Sequence, residues 1–186
     1  MISIKQVLFL ALFSIFVLGC GGGSGDGSKS SKAHKSLEGD WTTQCLNVNG
    51  TNDYTIFLIG FDTVDGNYVY GEKWSVFETS DCSGNPSLTL SVSGEVDYDG
   101  THSTSICEAE KFDVDYSLLT VNGEVFSGAD FDQKMEELNL DKSNFSIACV
   151  HRENLYIGLT TPSKDSTSPG RRPVDLNQNT VYFPAN

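Results

Sequence analysis

Positive charge is scarce in this chain: 12 Lys and Arg face 25 Asp and Glu, a formal net charge of −13 at pH 7. A surface of that sign repels phosphate backbones and anionic headgroups, which argues against nucleic acid as a partner. Histidine is nearly missing, with His34, His102 and His151 far apart in sequence, and there is no His-Glu-x-x-His pair. The Gly-x-Ser-x-Gly elbow and the phosphate-cradling Gly loop of Walker form are also absent. No Cys-x-x-Cys occurs, which argues against a zinc site. Without a nucleophile beside a base, nothing points to an enzyme, and no cofactor or metal is implied. Asp97-Tyr98-Asp99-Gly100 and residues 62–66 gather carboxylates beside a turn glycine, but neither has the spacing of a calcium loop. No repeat of fixed period is present. Long apolar runs are lacking too: residues 7–18, interrupted by Ser14, fall short of the roughly twenty a membrane-spanning helix needs.

That short run is nonetheless informative. Lys5 precedes it and Val17-Leu18-Gly19-Cys20 follows it, the layout of a secretory signal segment. Leu18-Gly19-Cys20 resembles the lipobox of bacterial lipoproteins. The resemblance implies that residues 1–19 are a signal peptide and that Cys20 becomes a lipidated N-terminus bearing a diacylglycerol and a further acyl chain such as palmitate. Two or more chains hold a protein stably on a membrane, at about 0.8 kcal/mol per buried methylene. Gly21 stands where Asp would favour the inner membrane, so the resemblance implies the outer membrane of a Gram-negative envelope. Residues 20–36 are rich in Gly, Ser and Lys and read as a flexible tether reaching about 20 Å. Its Lys29, Lys32 and Lys35 are either solvated or in touch with anionic lipid.

Residues 37–186 are long enough for one domain with a real core. Setting Cys20 aside leaves Cys45, Cys82, Cys107 and Cys149, an even number that in an exported chain suggests two disulfides. Sequence permits three pairings. The strand order favours Cys45 with Cys82 and Cys107 with Cys149.

Strands dominate this region. Residues 37–45 place Trp41, Thr43 and Cys45 on one face; residues 54–61 are apolar on both faces and call for cover on each. Asp65-Gly66 supplies a hairpin turn. Tyr68, Tyr70, Trp74 and Val76 then share one phase, with Glu72 as the exception. Residues 88–98 alternate most cleanly, and Gly94 in their middle suits a bulge or bend. A polar loop is expected over 99–108. Phe112, Val114, Tyr116 and Leu118 mark the next strand, Asn122-Gly123 a tight hairpin back to 124–126. A helix follows, with Asp130 as cap, Gln133 three residues on, and Phe131, Met135 and Leu138 as its apolar stripe. Strands 145–151 and 155–160 flank a turn at 152–154, and Val181-Tyr182-Phe183 packs back. Eight strands joined by short links predict an all-β, antiparallel up-and-down barrel with one inserted helix; a β-sandwich is the alternative.

Gly39-Asp40-Trp41 is similar to the Gly-x-Trp of lipocalins, in which the Trp closes the barrel floor under an Arg from late in the chain. The resemblance offers Arg152, Arg171 or Arg172 for that role, Arg152 first. A wider pattern accompanies it: Gly-x-Trp-x-x-x-Cys, Ser80-Asp81-Cys82-Ser83, Ala109 to Asp113, Leu155-Tyr156-Ile157-Gly158, and Arg172-Pro173-x-x-Leu176. Together with the lipobox these resemble small lipocalin-like bacterial lipoproteins, largely without assigned activity. The Thr-Asp-Tyr of lipocalins is missing, and the helix precedes the last two strands.

Two roles follow as expectations. One is a membrane-anchored lipoprotein with an envelope-structural or protein-interaction role. The other is a carrier holding a small apolar ligand between Tyr70, Trp74, Tyr98 and Tyr116, since an eight-stranded barrel either fills with side chains or admits one small ligand.

Overall fold

The computed structural model describes residues 36–48 and 51–185. The signal segment, Cys20 and the tether up to residue 35 lie outside them. Among the described residues no helix is long and apolar enough to cross a membrane.

The alternating segments form long antiparallel strands: β1 (Gly39–Thr42), β2 (Leu46–Asn47), β3 (Tyr54–Val64), β4 (Asn67–Phe77), β5 (Leu88–Ser103) and β6 (Glu108–Val121). Asp65-Gly66 and Asn122-Gly123 turn their hairpins with positive φ at both central residues, the twist that suits paired strands. β7 (Glu124–Ser127), helix α1 (Gly128–Glu137), β8 (Ser143–His151), β9 (Asn154–Ile157) and β10 (Phe183–Pro184) complete the chain. Around the ring the order is β10-β1-β3-β4-β5-β6-β8-β9. Phe183 and Pro184 pair with Thr42 and Trp41, while Tyr182 bridges to Leu155 of β9. The tail is thus wedged between the first and last staves and nearly closes an eight-stave barrel, which decides for the barrel over the sandwich.

The eighth stave is this tail, not the segment 124–126. β7 pairs with 118–121 of β6, and β8 pairs with 110–115 on the same strand. Both run antiparallel to β6, so β7 and β8 form one stave interrupted by the helical excursion. The expected stripe of α1 is corrected in one position: Phe131 and Met135 enter the core, whereas Leu138 is exposed at the C-cap and Leu140 packs inward instead. Ser127, not Asp130, occupies the N-cap, and Gln133 donates to Glu137.

Gly94 bends the wall as its position suggested. A Cβ there would lie 1.9 Å from the carbonyl oxygen of Asp115, so β5 and β6 approach as closely as they do only because the side chain is missing. The register shifts beside it: Ser93 faces Leu118 while Gly94 faces Tyr116, leaving Ser117 as the extra residue. The bulge reverses the alternation. Leu119 is therefore fully buried and Leu118 only half-buried, contrary to the unbroken alternation. The expected 99–108 loop is also mostly strand, with 101–103 paired to 108–110. The first strand ends early at Thr42, where Thr43 takes over with two hydrogen bonds: its N–H donates to Phe57 O and its Oγ1 accepts from Phe57 N–H, both at 3.0 Å.

Disulfides join Cys45 to Cys82 and Cys107 to Cys149. The second adjoins a small cluster in which Ala109, Ile147 and Cys149 on the outer phase of β6 and β8 are covered by Leu176 of the tail. Arg172 and Pro173 are buried there as well. The cover expected over both faces of 54–61 lies here instead; Ile56 and Leu58 on the outside of β3 stay half-exposed.

Candidate functional site: a carboxylate inside the barrel

Inward-facing aromatics pack the end of the barrel near the Asp65-Gly66 turn. Phe61 lies 5.0 Å from Tyr70 and 5.4 Å from Phe112, ring centre to ring centre, both edge-on. Trp41, which pairs opposite Ile59, belongs to the same continuous core, and its Nε1 donates to Leu37 O at 3.0 Å. This end is filled.

One layer further in, the phase of β4 places Glu72 in the interior, opposite Ile59 of β3 and Val92 of β5. Its Oε1 accepts from the Tyr116 hydroxyl at 2.6 Å and its Oε2 from the Tyr70 hydroxyl at 3.1 Å. Asn144 Nδ2 donates to the Tyr116 oxygen at 3.4 Å, which leaves the single phenolic hydrogen for Glu72. Donors therefore converge on the carboxylate in a chain. Burial pushes the Glu72 carboxyl above its ordinary 4.5, and the hydrogen bonds from Tyr116 and Tyr70 pull it partly back. Burial likewise raises the phenols of Tyr70, Tyr116 and Tyr182, with the Glu72 charge adding to each.

The surroundings of Glu72 are nearly inaccessible: Tyr70 is 2% exposed, Ile59 2%, Val92 3%, and Tyr116 and Tyr182 9% each. Glu72 itself is of intermediate exposure as a residue, as are Trp74 two residues on in β4 and Phe57 opposite it in β3. Glu72 is thus a charged group set among nearly closed neighbours, with partly exposed apolar residues next along the same inward phase.

The four aromatics expected to line a ligand are thus divided. Tyr70 and Tyr116 flank Glu72 with ring centres 6.4 Å apart, and Trp74 lies two residues beyond Glu72 in the same phase of β4. Tyr98 stacks edge-on against Tyr68 at 5.1 Å and pairs opposite Phe112, away from Glu72. Arg152, assigned first to the barrel floor, is exposed in the β8–β9 turn at φ 51°. The buried arginine is Arg172, which meets Asp113 at 2.5 Å and Asp99 at 3.6 Å and donates to Phe112 O and Ser146 O. It ties the tail to the outside of the wall. Burial raises the Asp113 carboxyl and Arg172 lowers it.

Asp99, which lies in β5, also meets Lys111 at 3.4 Å. Asp62 accepts from its neighbour's N–H, that of Thr63. Among the described residues no three His, Cys, Asp or Glu gather to hold a metal ion. His102 donates from Nε2 to Val174 O at 3.0 Å, a structural contact. Glu72, the residue that defines the site, was legible only as an acid interrupting the inward phase between Tyr70 and Trp74.

No protein-family model matches the chain, and no curated protein matches its sequence.

Proposed function

We propose that the protein is a lipid-anchored binding module of the bacterial envelope whose barrel holds one small, mainly apolar ligand. The observation that carries this reading is Glu72, an interior carboxylate held by two phenols, with no cation beside it among the described residues. A core built only for stability would place an apolar group here, since burying a carboxylate costs several kcal/mol before compensation. Phe57, Trp74 and Val121 are partly exposed apolar residues packed against the core, and Leu90 is buried beside them. The anchor rests on the lipobox resemblance. The envelope-structural or protein-interaction role draws on the acidic exterior alone. Native mass spectrometry of the protein purified from its own envelope separates the two. A bound mass of a few hundred daltons that leaves on denaturation is expected; a clean apo mass in repeated preparations moves the weight to the structural role.

A further inference from the structure

We infer that the ligand carries a protonated amine, seated against Glu72, so that the barrel selects small amphiphilic ammonium compounds. This deepens the binding reading above and rests on it.

Charge is the first argument. Every ion pair among the described residues that involves Lys or Arg lies elsewhere: Lys111, Lys134, Lys142, Arg171 and Arg172 all engage other acids. Glu72 has two neutral phenols and no cation. Breaking a buried pair by removing one partner leaves an uncompensated charge, and Glu72 stands in that position until a ligand supplies the other half.

Hydrogen-bonding capacity is the second. An ionised carboxylate has about four acceptor positions and no donor. Tyr70 and Tyr116 take one on each oxygen, so each oxygen keeps a further position for an N–H donor. An ammonium fills it. A carboxylate ligand has no hydrogen to offer and would bring like charge beside Glu72, while an alcohol offers one hydrogen and no charge.

The aromatic surround is the third. Tyr70, Tyr116 and Tyr182 stand around the carboxylate, with Trp74 two residues along the same face of β4. Ring faces attract cations, more so where water is excluded. The apolar remainder of the ligand extends toward Phe57 and Trp74, partly exposed apolar residues next along the inward phase.

The test is calorimetric titration of the full-length protein, wild type and Glu72→Gln, with three six-carbon probes at neutral pH: hexylammonium, hexanol and hexanoate. Wild type is expected to bind hexylammonium at least tenfold more tightly than hexanol and to reject hexanoate. In E72Q the ammonium preference falls to parity while hexanol binding persists, which also shows that the variant is folded. Equal affinity for hexylammonium and hexanol in wild type, or a preference that survives in E72Q, overturns the inference and leaves the binding module standing. Binding of none of the three removes the inference together with the reading beneath it.

Discussion

Tyr116 donates its phenolic hydrogen to Glu72 Oε1 at 2.6 Å across the interior of the barrel, from β6 to β4. Between those strands lies β5, which contributes Gly94 at the level of Tyr116. The bond therefore spans the curvature that the glycine permits, and it joins two residues 44 positions apart. Sheet geometry and site chemistry meet at this contact.

Replacing Glu72 by Gln removes the charge while keeping a hydrogen-bonding side chain of the same shape. Because the folded carboxyl titrates above 4.5, the folded state binds a proton more tightly than the unfolded chain. Stability therefore falls as pH rises from about the unfolded value through the folded one. E72Q is expected to unfold at higher temperature at pH 7, by on the order of 1 kcal/mol or about 2 to 4 °C. The advantage shrinks as the pH approaches 4.5 from above. Thermal melts of both proteins between pH 4 and 8 check this; a variant less stable than wild type at pH 7 contradicts it.

Gly94→Ala forces a methyl group into the backbone of Asp115 and should cost about 3 kcal/mol or more, at the upper end of overpacking penalties. Gly71 provides the control. A Cβ there meets nothing nearer than 3.8 Å, so Gly71→Ala should change stability by no more than about 1 kcal/mol. Urea denaturation midpoints of the two variants separate steric need from general strand propensity.

The β8–β9 turn carries Arg152 and Glu153 at φ 51° and 65°, a left-handed pair that usually falls to Asn-Gly. Replacing them with Asn and Gly should raise stability by about 1 kcal/mol by relieving the Cβ clash, read as a shift in denaturation midpoint. No change would mean that neighbouring contacts of the two long side chains compensate.

Each disulfide closes a long loop, with sequence separations of 37 and 42. Loop-closure entropy assigns each about 4 kcal/mol. Cys107→Ala with Cys149→Ala should lower stability by roughly that amount, and thiol labelling of the denatured wild-type domain should find no free thiol among Cys45, Cys82, Cys107 and Cys149. Labelling at any of these positions contradicts the pairing.

Most of the barrel was legible in the sequence because alternation and turn chemistry are local. Asp65-Gly66 and Asn122-Gly123 fix their hairpins within two residues, and the clean phase of 88–98 needs no partner to be recognised. What escaped depends on distant chain. Ser117 becomes a bulge only because Gly94 lies opposite, so Leu118 and Leu119 exchange faces. The eighth stave is a two-residue strand at Phe183, too short to carry periodicity. Cys45 and Cys82 could be paired through the order of strands, whereas Arg172 found Asp113 through a tail with no regular structure.

The site shows the same division. Tyr70, Trp74 and Tyr116 were identifiable as inward aromatics by phase. Glu72 broke that phase, and a broken pattern is where function tends to compete with packing. Only the structure supplies the two phenols that make an interior carboxylate tolerable.

The most direct measurement is a carbon-13 NMR titration of the Glu72 carboxyl in the full-length protein, assigned by comparison with E72Q. The account predicts a midpoint above the ordinary glutamate value of 4.5 that moves downward when hexylammonium is added. A midpoint at or below 4.5 in the free protein, or one unmoved by saturating hexylammonium, would contradict an open interior carboxylate waiting for a cation.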